Sequence, residues 1–135
     1  MSKEQAGGCQ CGAVRYKVTG DPVFTALCHC ADCRKSAGAP AVAWAAFAQN
    51  DFTVTQGEAR SFNSSGTSVR NFCATCGTGL FFTNSDVLPG LIDIQAATLD
   101  DPEALPPQIH VQTAEKLAWM QGIDGLPSFE RYPAG

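Results

Sequence analysis

Seven cysteines fall into three short groups: Cys9-Gln10-Cys11, then Cys28-His29-Cys30-Ala31-Asp32-Cys33, then Cys73-Ala74-Thr75-Cys76. Thiolates are soft ligands that zinc takes in a tetrahedron, so two short pairs brought together from distant loops would form a closed four-cysteine structural site. Cys9, Cys11, Cys73 and Cys76 supply two such pairs. Each pair is followed by glycine, Gly12 and Gly77, where a metal-binding turn needs positive φ or a close approach of backbone to sulfur. The middle group then keeps Cys28, Cys30 and Cys33, with no fourth cysteine left. Three protein ligands and an open position are the layout of a catalytic zinc, whose vacancy takes water or a substrate atom. Four plus three is the natural division, and it favours two inequivalent metals.

Other uses of these thiols stay open on spacing alone. One zinc shared among some of the groups would leave spare thiols. A thioredoxin-like redox role for Cys73 and Cys76 would need a βαβ context, whereas strand-turn-strand patterns surround them. Isolated buried cysteines act as small apolar residues, but clustering of all seven argues against that use. His29 competes for the fourth position of the middle group. Between two ligands in extended chain it should point away from the metal and hydrogen-bond nearby. His110 is read as structural.

The elements that must position these residues are short. Glycine and proline punctuate the chain at brief intervals, and the runs between them are rich in Val, Thr, Phe and Tyr. Val14, Tyr16 and Val18 alternate with Arg15 and Lys17, which predicts a half-buried strand ending at Gly20-Asp21-Pro22. Ala41 to Phe47 and Phe52 to Thr55 read as strands around a polar turn at Gln49-Asn50-Asp51. Ala59 to Phe62 and Ser68 to Cys73 flank Asn63-Ser64-Ser65-Gly66 as a hairpin. Gly79 to Thr83 and Leu91 to Gln95 complete the set. Asp32 to Ala37 predicts a single helical turn after the middle cysteines, and Thr113 to Gln121 a small helix or a strand bearing Trp119. The expected fold is mainly β, of antiparallel strands with cysteine-bearing loops and short helical turns.

At 135 residues the chain fits one domain over 1–135, with its core from about 8 to 133. Hydrophobic residues at 44% against 16% charged give enough apolar surface to bury and argue against disorder. Seven thiols cannot all pair within one chain, and Met1-Ser2-Lys3-Glu4-Gln5 has no apolar signal core. The run Ala39 to Ala48 is half the length of about 20 residues that a membrane span needs. A cytoplasmic protein in a reducing compartment, with no membrane partner, is the expectation. Net charge is −4 and the nine basic residues are scattered, which excludes the footprint of a duplex-DNA binder and so a nucleic-acid partner.

Gly8-Cys9-Gln10-Cys11-Gly12-Ala13-Val14-Arg15-Tyr16, Cys28-His29-Cys30-Ala31-Asp32-Cys33-Arg34-Lys35 and Phe72-Cys73-Ala74-Thr75-Cys76-Gly77-Thr78 together resemble the glutathione-dependent formaldehyde-activating enzyme family. Pro107-Gln108-Ile109-His110, Trp119 and Asp124-Gly125-Leu126-Pro127-Ser128-Phe129 resemble its C-terminal pattern. The resemblance implies a small zinc-bound β-tent domain, a structural zinc on Cys9, Cys11, Cys73 and Cys76, and a labile catalytic zinc on Cys28, Cys30 and Cys33. It also implies a carbon-sulfur lyase that joins glutathione, as co-substrate, to formaldehyde as S-hydroxymethylglutathione.

Physical chemistry supports that implication. A free thiol with pKa of about 8.5 is mostly protonated at neutral pH, and binding to zinc deprotonates it. A zinc that already receives charge from three thiolates is a weak Lewis acid, better suited to holding a substrate thiol than to generating hydroxide. Glutathione brings two carboxylates. Arg34 and Lys35, directly after the middle cysteines, are candidate contacts for them, with Arg70 a third. Trp44, Phe47 and Trp119 are candidate pocket walls. The partners are then a small thiol and an aldehyde. A non-enzymatic zinc module for a protein partner is the alternative, though it would have little use for an incomplete tetrahedron.

Overall fold

Alternating side chains on one central sheet decide where the core and the site lie. The computed structural model describes residues 3–133, and among them are ten strands and one α-helix. In chain order these are β1 (Glu4–Gly8), β2 (Arg15–Thr19), β3 (Phe24–Cys28), α1 (Ala31–Ala37), β4 (Val42–Ala48), β5 (Phe52–Gln56), β6 (Arg60–Ser65), β7 (Ser68–Phe72), β8 (Gly79–Asn84), β9 (Leu91–Gln95) and β10 (Ile109–Val111). A three-stranded sheet runs β1-β2-β5, and a seven-stranded sheet runs β10-β3-β4-β9-β8-β7-β6. The pairings are antiparallel except for β10 beside β3, which is parallel. The mainly β expectation holds.

One face of the large sheet packs on the small one. Successive strand residues point to opposite faces, so Ala45 and Phe47 of β4, Ile92 and Ile94 of β9 and Phe81 of β8 meet Tyr16 and Val18 of β2 in one apolar core. Tyr16 is fully enclosed. Its ring meets Phe81 edge-on with centroids 5.3 Å apart, and its hydroxyl pairs with Thr98 Oγ1 at 2.8 Å. Burying each such large side chain stabilises the fold by about 1.5–3 kcal/mol.

The other face carries different chemistry. Antiparallel registers place Phe24, Ala46, Asp93, Phe82, Arg70 and Phe62 side by side across five strand boundaries. Ala26, Cys28 and Trp44 share that face through the same alternation. Helix α1 lies against β4 beside it.

Three strands escape a reading of the sequence, each for a physical reason. Strand β1 has the composition Glu-Gln-Ala-Gly-Gly, poor for a strand, and forms because all five residues pair with β2. Strand β3 runs straight into the middle cysteines, and β10 is three residues long just after Pro106-Pro107. The hairpin turn is shorter than expected, because β6 continues through Ser65 with an irregularity between Asn63 and Ser65. The helical turn at Asp32 to Ala37 becomes α1, and Thr113 to Gln121 forms 3-10 turns at Thr113–Glu115 and Ala118–Gly125.

Candidate functional site

The first and third cysteine groups meet. Cys9 and Cys11 lie between β1 and β2, Cys73 and Cys76 between β7 and β8, and their four sulfur atoms lie within 4.8 Å of one another. The two loops are near copies. Gly12 N–H donates to the Cys9 carbonyl at 3.1 Å and Gly77 N–H to the Cys73 carbonyl at 2.8 Å, with glycine φ of 82° and 83°. Both glycines adopt the left-handed conformation that the spacing suggests. Val14 N–H donates to Cys9 Sγ at 3.2 Å and Cys76 N–H to Cys73 Sγ at 3.4 Å. Burial pushes the Cys9 thiol up, but the Val14 N–H and the neighbouring Cys11 and Cys73 thiols bring it below its ordinary range. Thr78 Oγ1, 3.2 Å from Cys76 Sγ, draws that thiol down to about 5, helped by the Thr78 backbone. Gln10 N–H donates to the same hydroxyl and ties the loops together.

This donor set fits zinc. Zn–S bonds of about 2.3 Å make a tetrahedron with an edge of about 3.8 Å, and Cys11 Sγ lies 3.7 Å from both Cys9 Sγ and Cys73 Sγ.

The middle group forms a second cluster. Cys28 ends β3, Cys30 caps α1 and Cys33 sits in its first turn, and their sulfurs also lie within 4.8 Å of one another. Cys30 is extended, and its Sγ accepts from Cys33 N–H at 3.3 Å, so a helix cap and a ligand pair are the same structure. The hydrogen bond from Cys33 pulls the Cys28 thiol below its ordinary range, while that contact and burial push Cys33 well above it. His29 is buried and takes no part in this cluster. Its Nε2 pairs with His110 Nδ1 at 2.9 Å, the rings stacked, and burial lowers its pKa.

The three-thiol cluster opens on a hollow of about 590 Å³ walled by Trp44 and Phe82, with Arg70 and Asp93 in its lining. A second hollow of about 570 Å³ shares Asp32, Trp44 and Arg70 with it and reaches Lys35 and Gly77. Arg70 is 8% exposed. Its guanidinium lies over the Phe82 ring, Cζ 5.0 Å from the centroid, and Nη2 points at Cys33 Sγ from 3.8 Å.

The other candidates are placed as follows. Arg34 donates from Nε to the His29 carbonyl and from Nη2 to the Glu115 carbonyl, and it lines neither hollow. Lys35 is exposed at the border of the second hollow. Trp44 walls both hollows, but Phe47 points to the opposite face of β4 and packs in the core. Trp119 is exposed in its 3-10 turn and lines neither hollow.

Asp93 was not among the sequence candidates. It is 7% exposed, its Oδ1 has no hydrogen-bond partner, and burial pushes its carboxyl up to about 6. The signal lies in Leu91-Ile92-Asp93-Ile94-Gln95, where one charge stands among apolar neighbours that face the core.

A profile of the family described as glutathione-dependent formaldehyde-activating enzyme matches residues 4–115, a span that holds both thiol clusters and Asp93. The crystal structure of a Rhodobacter sphaeroides protein shares the fold with a TM-score of 0.60 at 24% identity, over 78% of this chain and 97% of that one. No curated protein matches the chain. Among the described residues no helix is long and apolar enough to cross a membrane.

Proposed function

We propose, from the premise that the chain belongs to the glutathione-dependent formaldehyde-activating enzyme family, that it is a zinc-dependent carbon-sulfur lyase acting on thiol adducts of small aldehydes. Its nominal reaction joins glutathione and formaldehyde as S-hydroxymethylglutathione. The observation that carries this reading is the inequality of the two thiol clusters: four sulfurs from two loops gather within 4.8 Å of one another, enough for a closed tetrahedron, while three gather at the wall of a hollow.

In this proposal Cys9, Cys11, Cys73 and Cys76 hold a structural zinc, and Cys28, Cys30 and Cys33 hold the second. Zinc in the second site supplies one open position that keeps a substrate thiol as its thiolate at neutral pH. The residues around it do the rest. Arg70 offsets the excess negative charge of three thiolates, and the Cys33 N–H steadies Cys30. Trp44 and Phe82 exclude water from the hollow where the aldehyde meets the sulfur. As the sulfur–carbon bond forms, the carbonyl π pair moves to oxygen and the thiol proton ends there, R–SH + CH2O → R–S–CH2–OH. Lys35 can meet a glutathione carboxylate from the border of the second hollow, and Arg34 can do so if its guanidinium leaves the two carbonyls it now serves.

Metal analysis and a lyase assay test the proposal together. Wild type should hold two zinc ions per chain and cleave S-hydroxymethylglutathione, whereas Cys30→Ser should hold one and lose the activity. A single tightly held zinc in wild type, with no second site recovered on adding zinc, would leave only the non-enzymatic module.

A further inference from the structure

A buried acid and a buried base flank one aromatic ring without pairing. Arg70 on β7, Phe82 on β8 and Asp93 on β9 are register partners, so their side chains leave one face of the sheet in a row with Phe82 in the middle. Arg70 and Asp93 are 8% and 7% exposed. Arg70 Nε and Asp93 Oδ1 are buried without a partner, and no ion pair joins the two among the described residues. Buried charges kept apart cost stability, and such groups concentrate where reactions occur.

The thiols set the direction along this row. Arg70 Nη2 lies 3.8 Å from Cys33 Sγ while its Cζ stands 5.0 Å from the Phe82 centroid, so the guanidinium runs from the three-cysteine cluster to the ring. Asp93 is one strand further, with about 5 Å between its backbone and that of Phe82. Both residues line the hollow that the three thiols open on. An oxygen one carbon away from a sulfur at the cluster therefore has Arg70 beside it and Asp93 ahead of it.

Other groups facing the hollow are committed or exposed. Beyond Asp93 the row continues with Ala46 and Phe24, which carry no charge. Asp32 and Glu115 are exposed, and Glu115 Oε1 accepts from Ala31 N–H. Asn84 is held by Thr67, Ser68 and the Asp86 and Val87 N–H groups. Asp93 is the buried carboxyl of the hollow among the described residues.

We infer that Asp93 is the proton-transfer residue of the thiol-aldehyde reaction, and that Arg70 holds the aldehyde oxygen beside it. The inference rests on the three-cysteine site being the thiol site, and it assigns where the proton goes. The Asp93 carboxylate takes the proton of the incoming R–SH. As the sulfur–carbon bond forms, the carbonyl π pair moves to oxygen, where Arg70 Nε donates to the growing negative charge. Asp93 then returns its proton to that oxygen, leaving R–S–CH2–OH and a carboxylate ready for the next thiol. In the cleaving direction the same carboxylate first takes the hydroxyl proton. Burial pushes the Asp93 carboxyl up to about 6, close to the range in which a group both accepts and gives a proton efficiently.

The test follows cleavage of S-hydroxymethylglutathione across pH, with the spontaneous rate subtracted and zinc content measured at each pH to normalise the profiles. Wild-type kcat/KM should rise through about pH 6 as the carboxyl ionises, and Asp93→Asn should lose about 100-fold or more together with that rise. Asp93→Glu, which keeps a carboxyl, should recover part of the rate and a rise with pH. Melting temperatures show whether the variants are folded. A second readout needs no turnover: glutathione binding to the zinc-loaded protein, by calorimetry in buffers of different ionisation enthalpy. At about pH 7.5, where a free thiol is mostly protonated, Asp93→Asn should release to the buffer a thiol proton that wild type keeps. Asp93→Asn with the wild-type rate and pH profile, or with the same proton release as wild type, overturns the proton-transfer role while leaving the thiol site standing. Wild type that neither binds glutathione nor cleaves the adduct above the spontaneous rate overturns the thiol site and this inference with it.

Discussion

Arg70 Nη2 lies 3.8 Å from Cys33 Sγ, a buried guanidinium from β7 against a thiol from α1. Three thiolates around a divalent ion leave one negative charge in excess, and this cation is placed to balance it. Hydrogen bonds to charged groups contribute about 1.5–3 kcal/mol. Arg70→Met should therefore weaken zinc retention in the three-cysteine site by roughly tenfold or more, and leave the four-cysteine site unchanged. Chelator competition, followed as two phases of zinc release, measures both. A fast phase no faster than that of wild type would show that Arg70 does not act on the metal.

The two clusters differ in what they join. Cys9 and Cys11 belong to the loop of the small sheet, Cys73 and Cys76 to a loop of the large one, so a metal there staples sheet to sheet. Cys28, Cys30 and Cys33 lie within six consecutive residues and close no long loop. Cys73→Ser should lower unfolding stability by more than about 3 kcal/mol, because metal affinity at a structural site becomes folding free energy. Cys30→Ser should melt close to wild type. Thermal melts of the two variants side by side check the assignment, and equal losses would contradict it.

The thiol clusters were legible in the sequence because CxC and CxxC fix their geometry within a single turn. The glycines after each pair are local features of the same kind, whereas the cap made by Cys30 emerged only with the helix it opens. Strand β2 was legible from its alternation, and β4 from its apolar run. Arg70 was named as a carboxylate contact from its place before Cys73, but Asp93 and its place in one row with Arg70 were not legible, because only the registers of β7, β8 and β9 put them there. No residue within either strand records its partner's register. Phe47 and Trp44 show the same limit: three positions apart on one strand, they point to opposite faces, and which face holds the hollow is decided elsewhere in the sheet.

Protons must leave the three-cysteine cluster as metal enters. Cys33 is pushed up by its hydrogen bond with Cys28 and by burial, so it keeps its proton at neutral pH in the metal-free protein. Each proton displaced on binding makes apparent affinity rise about tenfold per pH unit below the thiol's own pKa. Zinc occupancy of this site should fall on acidification before that of the four-cysteine site, where Cys76 sits at about 5 and Cys9 is also lowered, against Cys11 raised to about 11. Calorimetry in buffers of different ionisation enthalpy counts the protons. Release of none, or a pH-independent affinity, would contradict the coupling.

Asp93 should make the free protein less stable as pH rises. Burial places its folded carboxyl at about 6 against an ordinary 3.8, so the folded state binds the proton more tightly than the unfolded one. The carboxyl is neutral in both states below about pH 3.8 and ionised in both above about pH 6, so the loss develops between those values and persists above them. Two pKa units correspond to about 3 kcal/mol. Asp93→Asn removes the titration, and any constant penalty from burying the amide cancels when the variant is compared with wild type at two pH values. Its stability relative to wild type should therefore improve by about 2.5 kcal/mol between pH 4 and pH 8. Urea unfolding of the zinc-loaded pair across that range measures the difference. A gap that stays flat with pH would mean that Asp93 ionises normally in the folded protein and that another group satisfies its carboxylate.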